Sequence, residues 1–169
     1  MNTPANILVG TTAGGTVWVR VEGKGTFQNS PVLKDFFKSM IQEKHTDFVV
    51  DLRNCSVMDS TFMGTLTAIG LSLRDLGQGK LRLVNLNERN HELLSSLGLD
   101  QLLTIVPNGD LGATGPSEEK ALDSNRADKL TEKQTMLEAH EACVVADQAN
   151  AAIFKDVIEY LKQNPHRPH

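Results

Sequence analysis

The feature that most constrains the fold of this chain is an apolar strand followed by a hydroxyl-bearing loop and a helix. Residues 48–52, which run Phe-Val-Val-Asp-Leu, predict a buried strand, and apolar side chains recur at helical spacing from Leu66 to Leu73. The triplet Asp59–Thr61 lies at the expected start of that helix, where backbone N–H groups lack partners and the helix dipole favours negative charge. A phosphate on Ser60 would therefore be tolerated there and would change any surface that docks at this point.

Strand and helix patterns alternate along the middle of the chain. Strands are predicted at residues 47–52, 80–84 and 102–106, and helices from the hydroxyl-bearing loop to Leu76 and from Asn87 to Leu97. This order implies parallel strands joined by right-handed crossovers. The sequence therefore predicts an α/β fold in which the crossover helices cover one face of the sheet.

The first part of the chain predicts a β-hairpin and then a helix. The hairpin occupies residues 7–21, and Gly23 and Gly25 are expected to end its second strand. Because the two hairpin strands are antiparallel, they make the whole sheet mixed. Ser30 followed by Pro31 predicts a helix start, with the serine as N-cap and the proline in the first turn.

Trp18 lies on the hairpin face opposite three alternating valines of residues 17–21. If the valines face the crossover helices, Trp18 faces the open side of the sheet together with Val49 and Val84. The preferred interpretation is an edge aromatic that a loop partly covers. The alternative is that Trp18 belongs to a surface on which the C-terminal helices or another subunit dock.

The composition changes after the last predicted strand. Residues 107–123 hold three glycines, two prolines and few large apolar side chains, which is typical of a linker. A helical pattern then returns, although its apolar stripe at Leu130, Leu137 and Val144 is thin. A second helix, over residues 150–162, has a fuller apolar face.

These patterns divide the chain into an α/β domain at residues 1–108, a linker at 109–125, a helical extension of two helices at 126–163 and a disordered tail at 164–169. The apolar face of the last helix comprises Ile153, Phe154, Val157, Ile158 and Leu161. An isolated helix this short is marginal in water, so that face must be buried. We expect it to pack on the preceding helix and, with it, on the α/β domain or on a second copy of the chain.

Charge and cysteine usage exclude several classes of protein. The 169 residues carry a net charge of -4, which argues against a nucleic-acid-binding surface. No apolar run approaches membrane-spanning length, and the N-terminus lacks the pattern of a signal peptide. Cys55 and Cys143 are too few for a disulfide framework. These features together favour a cytoplasmic protein.

No residue pattern indicates a catalytic or metal centre. His140 and Cys143 lie one helical turn apart, but no second pair completes a tetrahedral set. A packed or solvated helix face is therefore the preferred interpretation of this pair. No Ser-His-Asp or Cys-His grouping can be assigned, so the sequence predicts neither an enzyme nor a bound cofactor.

The hydroxyl-bearing loop has two interpretations. Asp, Ser and Thr are favoured N-cap residues, and residues 59–61 alone favour simple capping. The longer stretch Asp51–Gly64, however, resembles the signature of the STAS domain, the fold of bacterial anti-sigma factor antagonists. That signature is a strand ending in Asp-Leu, a short loop, and Met-Asp-Ser-Ser/Thr followed by a glycine in the opening helix. The resemblance continues through residues 80–85 and 93–99 and covers about the first two-thirds of the chain.

The resemblance implies both a fold and a regulatory function. The implied fold is a STAS-like mixed β-sheet with crossover helices on one face, here followed by the helical extension. In the family, the serine directly after the aspartate is phosphorylated, and that serine is Ser60 in this chain. The unphosphorylated antagonist captures an anti-sigma factor that has an ATP-dependent serine kinase domain. Phosphorylation releases the antagonist, and a PP2C-type phosphatase resets the switch.

The resemblance also implies a partner-binding surface at one end of the domain. Its expected members are Gly25, Thr26, Asn29, Ser30, Asp59, Ser60, Thr61, Phe62, Met63 and Gly64. The last three are expected along an exposed helix start. Two other functions stay open: a separate STAS subunit of a membrane lipid or anion transporter, and a scaffold protein without a working switch.

Overall fold

A computed structural model describes residues 6–77, 79–107, 115–122 and 128–163, where strands and helices alternate. The strands are β1 Asn6–Thr11, β2 Val17–Gly25, β3 Asp47–Asp51, β4 Cys55–Met58, β5 Lys80–Val84, β6 Thr104–Ile105 and β7 Lys120–Ala121. The helices are α1 Ser30–Gln42, α2 Ser60–Asp75, α3 Glu88–Ser96, α4 Lys129–Ala146 and α5 Asn150–Gln163. A single 3₁₀ turn at Leu99–Gln101 follows α3.

The sheet is mixed, as the sequence predicts. Its strands lie in the order β6-β5-β3-β2-β1-β7, and β4 pairs with the end of β2. The pairs β2–β3, β3–β5 and β5–β6 are parallel, whereas β1 is antiparallel to β2 and to β7. The parallel pairs are the ones that crossover helices must join, so the predicted α/β architecture is confirmed.

The second hairpin strand is longer than predicted. We expected Gly23 and Gly25 to break this strand, but β2 includes Gly23 and ends only at Gly25. The reason is β4, a strand that the sequence analysis did not predict. Its pairing places Gly23 opposite Cys55 and Gly25 opposite Met58, which gives the glycine-rich end of β2 a partner.

The core lies on the face of the sheet that the helices cover. Three valines of β2 are buried there together with the helical side chains Phe37, Phe62 and Leu66. Trp18 lies on the opposite face with Val49 and Val84 and is 6% exposed. A Cβ atom on Gly115 would lie 3.3 Å from the Trp18 ring, so a loop covers this aromatic. The C-terminal helices pack on the other face, so they do not dock at Trp18, which was one of the two occupants in the alternative interpretation.

The segment expected as a linker contributes an edge strand. In β7, Lys120 and Ala121 pair with Val9 and Leu8 of β1. The neighbouring Glu119 accepts hydrogen bonds of 3.0 and 3.1 Å from the Arg20 guanidinium. Residues 115–122 therefore extend the sheet by one strand, which the glycine and proline content did not predict.

The two C-terminal helices pack on the α/β domain, with α4 lying along α2. The predicted stripe on α4 is wrong, because Leu130 is 45% exposed and Leu137 and Val144 are only half-buried. The buried side chains of α4 are small or polar and are Thr135, Ala139, His140, Ala142 and Cys143. On α5, Phe154 and Leu161 are buried, whereas Ile153, expected on the same face, is 58% exposed.

Candidate functional site

Asp59 links the start of α2 to the loop between β2 and α1. It is the N-cap of α2, and its Oδ1 accepts a hydrogen bond of 2.8 Å from the backbone N–H of Phe62. Its Oδ2 accepts a second bond of 2.9 Å from the N–H of Phe27. The Asp59 N–H in turn donates to the carbonyl oxygen of Gly25. One carboxylate therefore caps the helix and fixes the neighbouring loop.

The β2–α1 loop is held by its own side chains. Asn29 Oδ1 accepts from the N–H of Thr26 at 2.9 Å, and the Asn29 amide donates to the carbonyl oxygen of Lys24. Ser30 is not the N-cap of α1, as we expected, because Asn29 occupies that position. The buried Ser30 hydroxyl donates to the carbonyl oxygen of Thr26 instead. The structure thus brings this predicted loop to the same end of the domain as Asp59.

The side chains after Ser60 are buried, contrary to the expected exposed helix start. Phe62 and Met63 are 0% and 3% exposed, and Gly64 is also buried. Phe62 points into the sheet, where a Cβ atom on Gly25 would lie 2.6 Å from its ring. The absence of a side chain at Gly25 therefore creates the space for Phe62. Thr61 is buried as well, at 4% exposure.

Ser60 forms a hydrogen bond with a residue far along the chain. Its Oγ lies 2.9 Å from Nε2 of His140, and Ser60 itself is half-buried. Nδ1 of His140 lies 2.6 Å from the carbonyl oxygen of Met136. Because a carbonyl oxygen only accepts, Nδ1 carries the hydrogen in the neutral ring. Nε2 is then the acceptor, and the Ser60 hydroxyl donates to it.

His140 is held in place from both C-terminal helices. It is 5% exposed on α4, and the Phe154 ring of α5 packs edge-on against it with the ring centroids 4.7 Å apart. The Met136 carbonyl one turn earlier fixes the other side of the imidazole. This position presents Nε2 to the start of α2.

The backbones of α2 and α4 approach closely at Gly64. A Cβ atom on Gly64 would overlap the carbonyl oxygen of Ala139. Next to this crossing, an ion pair of 2.6 Å joins Lys34 of α1 to Glu138 of α4. The glycine explains why α4 buries small side chains, since only these allow the two helices to approach so closely.

The site offers little chemistry beyond hydrogen bonding. A serine hydroxyl that donates to an oriented imidazole is the pairing used for nucleophile activation, but here a backbone carbonyl rather than a carboxylate orients the ring. Burial raises the pKa of the Cys143 thiol to about 11 and raises that of Cys55, so neither cysteine is an activated nucleophile. Within the described ranges, no group of three or more His, Cys, Asp or Glu residues could hold a metal ion.

His140 is the site residue that the sequence analysis missed. We interpreted it with Cys143 as a packed or solvated helix face, and both residues are indeed packed. Its contact with Ser60 joins positions 80 residues apart. No local pattern could reveal this contact, because it depends on how the extension docks.

The fold, together with a serine that follows the capping Asp59 after β4, defines an α/β domain of the STAS type. The STAS domain family model matches residues 9–111, more than half of the chain. This chain therefore belongs to the STAS domain family. Both C-terminal helices lie outside the matched range. In the residues that the structure describes, no helix is both long enough and apolar enough to cross a membrane.

Solved structures of similar fold include an anti-sigma factor antagonist and a candidate antagonist. A candidate antagonist from Thermotoga maritima, TM1081, has a TM-score of 0.54 and 20% identity, with 61% of this chain and 86% of that chain covered. Its NMR structure gives a TM-score of 0.54 and 21% identity, covering 59% and 79%. The antagonist SpoIIAA in its unphosphorylated form has a TM-score of 0.50 and 15% identity, covering 59% and 86%. At these identities the likeness shows the fold alone. Among curated protein sequences, none matches this chain.

Proposed function

We propose that this protein is a phosphorylation-switched regulator that binds an anti-sigma factor in a partner-switching pathway. The observation that carries the proposal is Ser60, which directly follows the capping Asp59 at the start of α2 in a STAS domain. The resemblance to the family makes this serine the phosphate acceptor. Its partners would then be an anti-sigma factor with a serine kinase domain and a PP2C-type phosphatase.

The proposed surface combines the β2–α1 loop with the start of α2. Thr26, Asn29, Asp59 and Ser60 are all half-buried at one end of the domain, so parts of these side chains face solvent. Six other predicted members are buried and position this surface from within the domain: Gly25, Ser30, Thr61, Phe62, Met63 and Gly64. We therefore assign direct partner contacts to the half-buried residues and positioning roles to the buried ones.

Phosphorylation would act on this surface through charge. The kinase would transfer the γ-phosphoryl group of ATP to Ser60 Oγ, with ADP leaving and the hydroxyl proton passing to a base of the kinase. A phosphate adds roughly −1.5 to −2 charges and a hydrated group. If the added charge lowers the binding free energy by ~3 kcal/mol, the affinity for the partner falls about a hundredfold.

The test measures binding of a purified anti-sigma factor, encoded near this gene, by calorimetry. Ser60→Asp should weaken binding by about a hundredfold, whereas Ser60→Ala should bind and should escape release when kinase and ATP are added. Ser56→Asp is the matched control, because Ser56 is an exposed serine on β4 and its substitution adds the same charge. Equal affinity of wild type and both Ser60 variants in the presence of kinase and ATP would disprove the switch. Mass spectrometry of the phosphorylated protein should find phosphate on Ser60 and not on the buried Thr61.

One observation favours a scaffold protein without a working switch. Ser60 is half-buried and its hydroxyl is hydrogen-bonded to His140. In this conformation the oxygen that a kinase would phosphorylate is therefore already engaged. If no phosphate enters position 60 in the cell and the Ser60→Asp variant binds its partner like wild type, the scaffold function replaces the switch.

A further inference from the structure

We propose that α4 is a displaceable cover over the start of α2, and that a docked α4 and a phosphate on Ser60 exclude each other. The inference rests on the proposed function, because it takes Ser60 as the phosphate acceptor. It adds a regulatory role for the C-terminal extension, which lies outside the STAS family match.

The space at Ser60 is too small for a phosphate while α4 is docked. Ser60 Oγ and His140 Nε2 are 2.9 Å apart, so in this Ser60 rotamer the imidazole occupies the space that a phosphate on Oγ would take. His140 has little freedom to turn away, because Phe154 and the Met136 carbonyl hold its ring on two sides. A phosphorylated Ser60 therefore requires α4 to move.

The chemistry of the hydrogen bond leads to the same conclusion. The Ser60 hydroxyl is the donor and Nε2 of His140 is the acceptor. Phosphorylation replaces the O–H bond with an O–P bond, so the hydroxyl donor is lost. The docked arrangement then loses the hydrogen bond that the Ser60 hydroxyl makes to His140.

The seam under α4, which is its interface with α1 and α2, is imperfectly packed, as expected of a helix that can dissociate from the domain. A cavity of ≈ 300 Å³ lies between α1, α2 and α4, with Phe37, Ile69 and Ala139 among its walls. Thr135 in the same seam is 2% exposed, and its hydroxyl has no hydrogen-bond partner among the described residues. The ion pair between Lys34 and Glu138 is partly exposed and therefore screened by water. The contacts missing across this open groove and the unpaired Thr135 hydroxyl each weaken the docking of α4.

The two cysteines provide a built-in readout of this motion. Cys143 lies on α4 and is 0% exposed, whereas Cys55 lies on β4 within the STAS domain and is 1% exposed. Lifting α4 alone would expose the first thiol and not the second. The rate at which iodoacetamide modifies each cysteine in the full chain, measured by peptide mass spectrometry, therefore separates opening of α4 from unfolding of the whole domain.

The main test installs phosphoserine at position 60 of the full-length chain by genetic code expansion. We expect Cys143 to be modified at least ~10-fold faster than in the unphosphorylated chain, with Cys55 unchanged. Equal protection of Cys143 in both forms would overturn the proposal. Equal acceleration of both cysteines would also count against it, because it would mean that the whole domain opens. This test needs no kinase and no partner, so its failure is distinguishable from failure of the binding experiment.

A second variant checks the cover without any phosphate. Ala139→Arg introduces a long side chain where α4 contacts Gly64, and it should expose Cys143 by a similar factor. Gln134→Arg is the matched control, because it adds the same side chain to an exposed position of the same helix and should leave Cys143 protected. If Ala139→Arg leaves both cysteines fully protected, α4 is a fixed part of the domain and the proposal is wrong.

Discussion

Asp59 and Ser60 are adjacent in the chain but have different roles. Asp59 caps α2 through Oδ1 and holds the β2–α1 loop through Oδ2. Ser60 is the first residue of the helix, and its hydroxyl makes a hydrogen bond to His140 instead of capping. A substitution at Ser60 therefore leaves the cap intact, which makes this position suitable for modification.

Gly25 provides a stability test at the scale of single residues. A Cβ atom there would lie 2.6 Å from the ring of Phe62, which is fully buried and has little room to shift. Gly25→Ala should therefore lower the free energy of unfolding by ~1–3 kcal/mol, the usual effect of overpacking a core. Urea unfolding followed by circular dichroism measures this change.

Two further variants control the Gly25 experiment. Gly14→Ala should change stability little, because a Cβ atom at Gly14 would meet only the Thr12 hydroxyl at 3.9 Å. Phe62→Leu combined with Gly25→Ala should recover part of the loss, since the smaller side chain leaves space. A Gly25→Ala variant as stable as wild type would show that Phe62 adapts and that the glycine is not required by packing.

At the scale of the helices and strands, periodicity predicted those elements whose buried faces are made of large apolar residues. The parallel strands and α2 follow from such patterns, because burial of Phe48, Val50 and Leu66 forms the core. The two-residue β7 carries no such pattern and depends on its pairing with β1. β4 likewise depends on the glycine-rich end of β2.

Helix α4 shows why the site was only partly predictable. Its buried face consists of small and polar residues, so a search for recurring large apolar side chains selects the wrong stripe. Ser60 could be identified from its motif, because the motif is local. His140 could not, because its role depends on the close approach of Ala139 to Gly64.

Cys143 gives a prediction for α4 as an element. Burial raises its pKa from 9.0 to about 11, so the folded protein keeps the neutral thiol while the unfolded chain ionises. The contribution to stability is complete below pH 9 and is lost as the pH rises towards 11. Two pKa units correspond to roughly 2–3 kcal/mol. The free energy of unfolding, measured with urea, should fall between pH 8 and pH 11 by about that much more in wild type than in Cys143→Ala. An equal fall in both proteins would mean that the thiol is not desolvated.

At the scale of the whole molecule, the chain consists of a STAS domain and a helical extension that packs on it. The extension has apolar residues on both sides: Phe154 and Leu161 are buried, while Val145 and Ile153 are 61% and 58% exposed. Burial of the inner side chains stabilises the domain. The outer side chains are exposed and could pack on a second copy of the chain, so the homodimer that the sequence leaves open as an alternative stays untested.

Truncation separates these two roles of the extension. A stop after Leu122 keeps β7 and the loop over Trp18 but removes α4 and α5. Loss of Phe154 and Leu161 alone removes ~1.5–3 kcal/mol per side chain, so the melting temperature should fall while the STAS domain still folds. A stop after Gln163 retains both helices and should melt like the full chain. Light scattering of the three proteins tests the dimer, which should be present with the helices and absent without them. If the full chain is a monomer at concentrations of about 100 μM, a homodimer through these helices is excluded at ordinary affinities.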